Sequence, residues 1–359
     1  MALDIVGQRL HNQLLSQMKC DEPDQVVEWF GAVQSQDYAG AKWALSQRLQ
    51  NMMTDTALDQ AFNAGKILRT HVMRPTWHFV TPADIRWMLE LTAPRVLAAM
   101  GYMDRQLGLD KTVFKKTNTT LVKALRGGKQ LTRSELAPIL EKAGVPVDGL
   151  RLGHLTGHAE LDGVICSGAR RGKQFTYALL DERAPQAKKL DHEEALVELT
   201  KRYFRSHGPA TLKDFVWWSG LTMTDARNGL AAVRSEFESE VVNGQTHGFS
   251  KPAPRKKLTT RAYLLPNYDE YTVGYTDRSA IYDGAHDDKL DSRESILAQS
   301  ILINGEIAGM WKRTVKKNEV IVELTPFLPL TKSENQAIMA EVERYTQFLG
   351  AASVRVTLK

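Results

Sequence analysis

The chain has 359 residues, 43% of them hydrophobic and 25% charged, a balance that excludes a disordered protein and allows two or three ordinary domains. No apolar run approaches the roughly 20 residues that span a bilayer, and residues 1–10 lack the pattern of a secretory signal, so we expect a cytoplasmic protein without membrane contact. A net charge of +5 and basic clusters at 170–173, 255–257 and 312–317 suit a polyanionic partner.

The first hundred residues predict several helices and then a β-hairpin. Two short β-rich runs, 66–72 and 76–80, are separated by Met73-Arg74-Pro75, which is typical of a hairpin. Gly65 ends the helix before the hairpin, and Pro94 is expected to kink the helix after it. The predicted helices of this region cover residues 3–18, 24–33, 41–49, 55–64 and 83–103. Helices followed by a hairpin resemble a winged helix.

The same order of elements recurs twice. Thr132 and Glu135 have the spacing of a helix capping box in the second cycle, and Thr211 and Asp214 occupy similar positions in the third. The second cycle is predicted to contain helices at 113–125, 132–143 and 150–161 and a hairpin over 163–179. The third is predicted to contain helices at 191–206 and 224–233, a helix between them that ends before Gly220, and a strand at 238–242.

After about residue 249 the sequence changes to strand signals. Asn304-Gly305 between two β-rich runs indicates a two-residue hairpin turn, and residues 333–349 predict one helix. The predicted strands cover residues 261–266, 271–275, 300–303, 307–311, 319–324 and 353–358. We therefore predict an α+β fold with three tandem winged-helix units scaffolded by a C-terminal β-barrel-like domain. The predicted boundaries are 1–108, 109–185, 186–250 and 251–359.

Gln34 and Gln36 stand two residues apart where a helical pattern ends. In an extended segment they share a face, so two converging amides require the helix to end near Val33. An amide is no base near neutral pH, but its donors and acceptor can hold a water or bind a sugar. The alternative is that both glutamines cap the helix and pair with the backbone. Asp37 is the nearest group able to remove a proton, or else a solvated turn residue.

The hairpin at 66–80 and the basic turn at 168–173 are further candidate sites. Arginine, histidine and tryptophan around a hairpin can contact phosphate and stack on bases, although Leu68, Trp77 and Phe79 equally suit a core. The candidates for contact with a nucleic acid are Arg69, Arg74, His78, Arg170, Arg171 and Lys173. Secondary candidates are Asp37, Asp269 and Arg278, for which ion pairs at strand ends are the alternative.

Several catalytic classes have no motif in this sequence. There is no Gly-x-x-x-x-Gly-Lys-Ser/Thr phosphate loop, no His-Glu-x-x-His pattern and no Gly-x-Ser-x-Gly pattern. Cys20 and Cys166 lie far apart without metal-ligand spacing. We therefore expect no bound metal and no cofactor.

Three regions, 33–45, 69–80 and 264–271 with 274–278, resemble the winged-helix DNA-binding family of AlkZ-like DNA glycosylases, and the similarity covers nearly the whole chain. The resemblance implies a concave, C-shaped DNA-binding face and a catalytic Gln-x-Gln motif, which Gln34-Ser35-Gln36 matches. Ser35 departs from the family, where the middle residue is typically aliphatic. The resemblance also implies excision of alkylated purines such as N7-alkylguanine, with bulky adducts or interstrand crosslinks as further substrates.

These implications define the expected partner and the competing hypothesis. We expect a monomeric, nucleoid-associated repair enzyme that acts on alkylated double-stranded DNA. Since no lysine lies in the motif, a monofunctional glycosylase is favoured over a lyase. The alternative is a non-catalytic winged-helix DNA-binding protein or regulator, and sequestration of a DNA-damaging metabolite is a third hypothesis. The preferred lesion and the flipping of its base stay open at this level.

Overall fold

The computed structural model describes residues 3–17, 19–250, 260–290, 292–316 and 319–359. The basic cluster at 255–257 and Lys317 lie outside these ranges. The described helices are α1 (Ile5–Asn12), α2 (Pro23–Phe30), α3 (Tyr38–Gln47), α4 (Asp55–Ala64), α5 (Ile85–Gln106), α6 (Lys111–Leu125), α7 (Arg133–Lys142), α8 (Arg151–Leu161), α9 (Leu180–Arg183), α10 (His192–His207), α11 (Leu212–Ser219), α12 (Met223–Val233), α13 (Glu270–Val273) and α14 (Lys332–Leu349).

The strands form small sheets in the first two thirds of the chain and one larger sheet after it. The described strands are β1 (Val33–Gln34), β2 (Leu68–His71), β3 (Trp77–Val80), β4 (Leu131–Thr132), β5 (Ile165–Ser167), β6 (Thr176–Leu179), β7 (Glu238–Val242), β8 (Gln245–Phe249), β9 (Ala262–Leu265), β10 (Ser300–Ile303), β11 (Glu306–Val315), β12 (Glu319–Pro326) and β13 (Ser353–Leu358). Together with the helices they make a mixed α+β fold, as predicted.

One arrangement occurs three times along the chain: a helix, a very short strand, two helices and a hairpin. The first, second and third hairpin groups run from α2 to β3, from α6 to β6 and from α10 to β8. The short strand pairs with the second strand of the hairpin, which gives the sheet orders β1-β3-β2 and β4-β6-β5. In the third group, Ala210 forms a single antiparallel bridge to Gly248 of β8. The predicted hairpins are confirmed, whereas the short strands were missed because one or two residues carry no periodicity.

Local sequence signals explain where many of the helices begin and end. The capping boxes of Thr132 with Glu135 and of Thr211 with Asp214 are both present. Gly65 ends α4 in the left-handed conformation, with φ of 80°. Pro94 lies inside α5, which continues for twelve residues beyond it to Gln106. None of the helices in the described ranges is long and apolar enough to cross a bilayer.

The C-terminal strands form an open five-stranded sheet rather than a barrel. Its order is β13-β12-β11-β10-β9, so β9 and β13 lie at opposite edges. After α14, β13 returns parallel to β12. Ile338 and Phe348 of α14, together with Trp43 of α3, join the core of this sheet. The predicted barrel is therefore wrong for the described strands, because helices cover the apolar face that closure would have buried.

The strand predicted at 271–275 is also wrong. Residues Glu270–Val273 form the short helix α13, whose N-cap is Asp269. A carboxylate oxygen of Asp269 accepts a 2.9 Å hydrogen bond from the Tyr271 backbone N–H. The local cap thus favours a helix although the composition of the segment is β-rich. The turn places Glu270 beside the first hairpin.

Candidate active site

Gln34 reaches its position because α2 ends earlier than the sequence pattern suggested. The helix ends at Phe30, and Gly31 follows with φ of 87°, a conformation that favours glycine. Val33 and Gln34 then pair with Phe79 and His78 in an antiparallel register. The Ser35 N–H continues this pairing with a 2.8 Å hydrogen bond to the Trp77 carbonyl. Gln34 is therefore extended in β1, whereas Gln36 lies in the bend that precedes α3.

Each glutamine uses its amide oxygen in one hydrogen bond and leaves its amide N–H₂ group without a partner among the described residues. Gln34 is 6% exposed, and its Oε1 accepts a 3.2 Å hydrogen bond from the Gln36 N–H. Gln36 is exposed, and its Oε1 accepts from the Trp77 N–H at 3.4 Å. No described residue accepts a hydrogen bond from the Nε2 of either glutamine. Backbone pairing is present, but neither glutamine caps a helix, since Gly31 ends α2 and Asp37 begins α3.

Glu270 lies directly behind Gln34. Its Oε1 accepts a 2.7 Å hydrogen bond from the Gln34 N–H, and its Oε2 accepts from Trp218 Nε1 at 2.8 Å. His207 Nε2 is 3.3 Å from the same Oε2. Burial alone would raise the pKa of Glu270, but the contacts with His207 and the Gln34 N–H outweigh burial, and the net pKa is lowered. Glu270 is therefore a carboxylate anion with 1% exposure.

Sequence reasoning missed Glu270 as a functional candidate. It selected Asp269 from the same segment, since acidic residues on a predicted strand or turn gave no reason to prefer one of them. The signal that would have distinguished Glu270 is its burial beside a polar motif, which depends on residues far away in the chain.

Arg69 and His78 support the motif from within the hairpin. The Nε and Nη2 of Arg69 donate to the Ser35 carbonyl at 3.2 and 3.1 Å, and its guanidinium lies 4.4 Å from the Trp77 ring centre. Burial lowers the pKa of Arg69 to about 10. His78 is 0% exposed, and burial lowers its pKa to about 3, so its imidazole is neutral. Direct contact with a phosphate would require both side chains to leave these positions.

Arg74 occupies the loop of the same hairpin. Its Nε and Nη2 are buried and have no hydrogen-bond partner among the described residues. Its guanidinium lies 5.8 Å from the ring centre of Trp217, which is 43% exposed. Burial lowers the pKa of Arg74, and the negative charge of Glu270 opposes that shift. Arg74 is thus a cation with unused donors beside an exposed aromatic ring.

The basic turn between β5 and β6 contacts the first hairpin group. The Arg170 guanidinium lies 4.7 Å from the Tyr38 ring centre and 5.0 Å from that of Phe175, and it is 3.4 Å from Asp59. Arg171 donates to Glu135 Oε1 at 2.6 Å. Lys173 is exposed and has no ion-pair partner among the described residues. Arg170 therefore holds the turn in place, while Lys173 is the cation free to meet a ligand.

The three secondary candidates have structural partners. Asp37 caps α3 through a 3.0 Å hydrogen bond from the Gly40 N–H and accepts from Asn267 Nδ2 at 3.1 Å. Asp269 receives two hydrogen bonds from Arg48, at 2.9 and 2.7 Å. Arg278 donates from Nε to the Thr272 carbonyl at 2.8 Å. Of the three, only Asp37 adjoins the glutamine motif.

The site as a whole offers polar positioning groups and one buried negative charge. Each motif amide oxygen uses one lone pair on a backbone N–H, so its second lone pair and its N–H₂ group remain for water or a sugar. Within the described ranges, no group of three or more His, Cys, Asp or Glu residues could hold a metal ion. Such a site can orient a water and stabilise positive charge without a strong general acid.

Comparison with known proteins identifies the family. The family model for AlkZ-like DNA glycosylases matches residues 27–348. The chain belongs to the AlkZ-like DNA glycosylase family. As a member it is a DNA glycosylase, an enzyme of DNA repair that cleaves the bond between a base and its deoxyribose. The matched range includes the glutamine motif, both hairpin strands β2 and β3, and Glu270.

The fold of this AlkZ-like protein is also that of a solved structure. Streptomyces sahachiroi DNA glycosylase AlkZ superposes with a TM-score of 0.80 at 19% sequence identity, covering 99% of this chain and 98% of that chain. At this identity the likeness concerns the fold. A comparison with curated proteins finds no significant match.

Proposed function

We propose that this DNA glycosylase is monofunctional and hydrolyses the N-glycosidic bond of alkylated purines such as N7-alkylguanine, with Gln34 and Gln36 positioning the attacking water. The observation that carries the proposal is the geometry of the motif. The two amides, one at the end of β1 and one in the bend after it, keep unused donors and lone pairs beside a buried carboxylate. Bulky adducts and interstrand crosslinks are included as substrates of the same chemistry.

The chemistry of an N7-alkylated guanine suits a site built from amides. Such a base is already cationic, so it leaves without protonation by a strong acid. The pair of electrons in the bond between N9 and C1′ departs with the base and neutralises it, a water oxygen bonds to C1′, and a proton of that water passes to solvent. The enzyme's task is to orient the water and to stabilise the sugar oxocarbenium ion.

For DNA recognition we infer that the three repeated groups are winged-helix units and that the motif faces a concave, C-shaped DNA-binding surface. The repeated order of short strand, two helices and hairpin supports this inference. The boundaries after residues 108, 185 and 250 belong to the same proposal. The exposed Lys173 is the best-placed of the predicted DNA contacts, whereas the unused Nε and Nη2 of Arg74 are buried.

The test is release of a free base from a defined lesion. Duplex DNA containing one N7-methylguanine is incubated with enzyme in excess, and the free base and the abasic site are both measured. A monofunctional glycosylase yields free N7-methylguanine and an intact abasic strand that breaks only after treatment with alkali. Undamaged duplex of the same sequence is the control.

Two results would overturn the proposal. Tight binding to undamaged duplex without base release would favour the non-catalytic regulator. Strand cleavage without alkali, with trapping of a covalent adduct by borohydride, would indicate a lyase instead of a monofunctional enzyme.

A further inference from the structure

Glu270 is a buried anion held by hydrogen bonds rather than by a lysine or arginine. The groups that donate to it are the Gln34 N–H and the Trp218 indole, neither of which carries a charge. His207 Nε2 also lies 3.3 Å from Oε2, and burial lowers the pKa of His207 although the contact with Glu270 opposes that shift. Among the described residues, no Lys or Arg forms an ion pair with Glu270.

Two nearby cations, Arg48 and Arg74, form no ion pair with Glu270. Arg48 is paired with Asp269 through two hydrogen bonds, so that buried pair is neutral as a unit. Arg74 interacts with Glu270 electrostatically but makes no ion pair with it. A buried negative charge that forms no ion pair with a lysine or arginine acts on a ligand bound at the neighbouring motif, because a low-dielectric interior screens it weakly.

This charge lies behind Gln34, one of the two residues proposed to position the water. Glu270 contacts the backbone of Gln34, and the Gln34 amide projects from that same residue. The Gln34-Ser35-Gln36 motif contains no carboxylate, and Asp37, which follows it, caps α3. Among the described residues, Glu270 is therefore the buried anion that accepts a hydrogen bond from β1.

We propose that Glu270 positions β1 through the backbone of Gln34 and supplies the negative charge that stabilises the deoxyribose oxocarbenium ion. The inference rests on the proposed function of Gln34 and Gln36 and deepens it. Glu270 is a positioning residue, since it acts through Gln34 and through its field rather than by contact with the reacting atoms. A purely structural carboxylate would hold the strand but would not distinguish a cationic ligand from a neutral one.

The experiment compares two abasic duplexes of identical sequence. One carries a protonated pyrrolidine in place of the sugar, which mimics the oxocarbenium ion, and the other carries neutral tetrahydrofuran. Affinities are measured for the wild type, for Glu270→Gln, which keeps the shape but removes the charge, and for Glu270→Asp, which keeps the charge but shortens the side chain. Urea unfolding of each variant is measured alongside.

We expect the wild type to bind the cationic duplex at least about tenfold more tightly than the neutral one. Glu270→Gln should lose most of that preference and about ten- to a hundredfold in kcat, with similar affinity for the neutral duplex. Glu270→Asp should keep a clear preference while losing kcat. If Glu270→Gln does not fold, the Asp variant decides the outcome, because loss of preference in a folded Glu270→Asp overturns the proposal.

Other outcomes separate this inference from the proposed function. A wild-type preference that Glu270→Gln retains, or an equal loss of affinity for both duplexes, overturns the role of Glu270 while base release by the wild type still stands. Absence of base release by the wild type overturns the proposed function itself.

Discussion

The backbone N–H of Gln34 donates a 2.7 Å hydrogen bond to Glu270, although the two residues are 236 positions apart. The contact joins the first hairpin group to the connection between β9 and β10 of the C-terminal sheet. The same carboxylate accepts from Trp218 of α11 in the third group. The candidate active site is thus assembled from three distant parts of the chain, and its geometry depends on their packing.

Replacement of either motif glutamine should abolish base release without unfolding the protein. For Gln34→Ala and Gln36→Ala we expect a loss of at least about a hundredfold in single-turnover release, because each removes a positioning group. Gln36 is exposed, so its replacement should leave the free energy of unfolding unchanged. Gln50→Ala, at another exposed glutamine of the first group, is the control. Full activity of Gln36→Ala would exclude the two-amide mechanism.

Replacement of Arg69 distinguishes support of the motif from DNA contact. In Arg69→Met the two hydrogen bonds to the Ser35 carbonyl are lost, so we expect kcat to fall about tenfold or more while affinity for undamaged duplex changes little. A residue that contacts phosphate would instead weaken binding and reduce the salt slope by about one. Measurement of kcat and of duplex affinity at several salt concentrations separates the two roles.

The buried ion pair of Arg48 and Asp269 should be costly to break on one side only. Arg48 and Asp269 side chains are 2% and 0% exposed, so Arg48→Met leaves an uncompensated carboxylate. We expect this variant to lose roughly 3–5 kcal/mol in the free energy of unfolding, and the double variant with Asp269→Asn to lose less than the sum of its parts. Urea denaturation of the four proteins measures the coupling. Additive losses would mean that the pair is not a unit.

His78 should make the protein sensitive to acid. Histidine in the unfolded chain has a pKa near 6.5, and burial, with the Arg74 charge, lowers the pKa of His78 to about 3. Between these values the unfolded chain binds a proton that the folded protein does not, so the free energy of unfolding falls as pH decreases below about 6.5. The lowered pKa of His207 acts in the same direction.

His78→Gln measures this contribution. Between pH 7 and pH 5 the free energy of unfolding of the variant should fall by about 2 kcal/mol less than that of the wild type. Urea denaturation at both pH values measures the difference. His192→Gln, at an exposed position, is the control. Identical pH dependence of His78→Gln and wild type would show that His78 is not held neutral in the folded state.

Lys173 should contribute to DNA affinity through charge alone. Lys173→Ala is expected to weaken binding to duplexes of different sequence by similar factors and to reduce the slope of log affinity against log salt by about one. Lys332→Ala removes the same charge from an exposed position at the start of α14, where no DNA contact is proposed. Equal effects of the two substitutions would indicate a general charge effect rather than a contact.

The sequence by itself predicted the features that depend on neighbouring residues. Capping boxes at Thr132 and Thr211 begin their helices, and Asn304-Gly305, with φ of 52° and 97°, makes the predicted hairpin turn. The hairpin at 66–80 was predicted from local residues in the same way. These signals are local because a cap or turn is satisfied within a few residues.

Only the tertiary structure decided how these elements meet at the site. The two-residue strand β1 exists because Val33 and Gln34 find partners in Phe79 and His78, and Arg69 is buried because Ser35 and Trp77 surround it. The segment after Asp269 is a helix rather than a strand, and the C-terminal sheet stays open because α14 covers it. Glu270 is held as a buried anion only by contacts with His207 and the Gln34 N–H, which lie far from it in the chain. Burial and long-range hydrogen bonds belong to pairs of residues distant in the chain, so no local pattern encodes them.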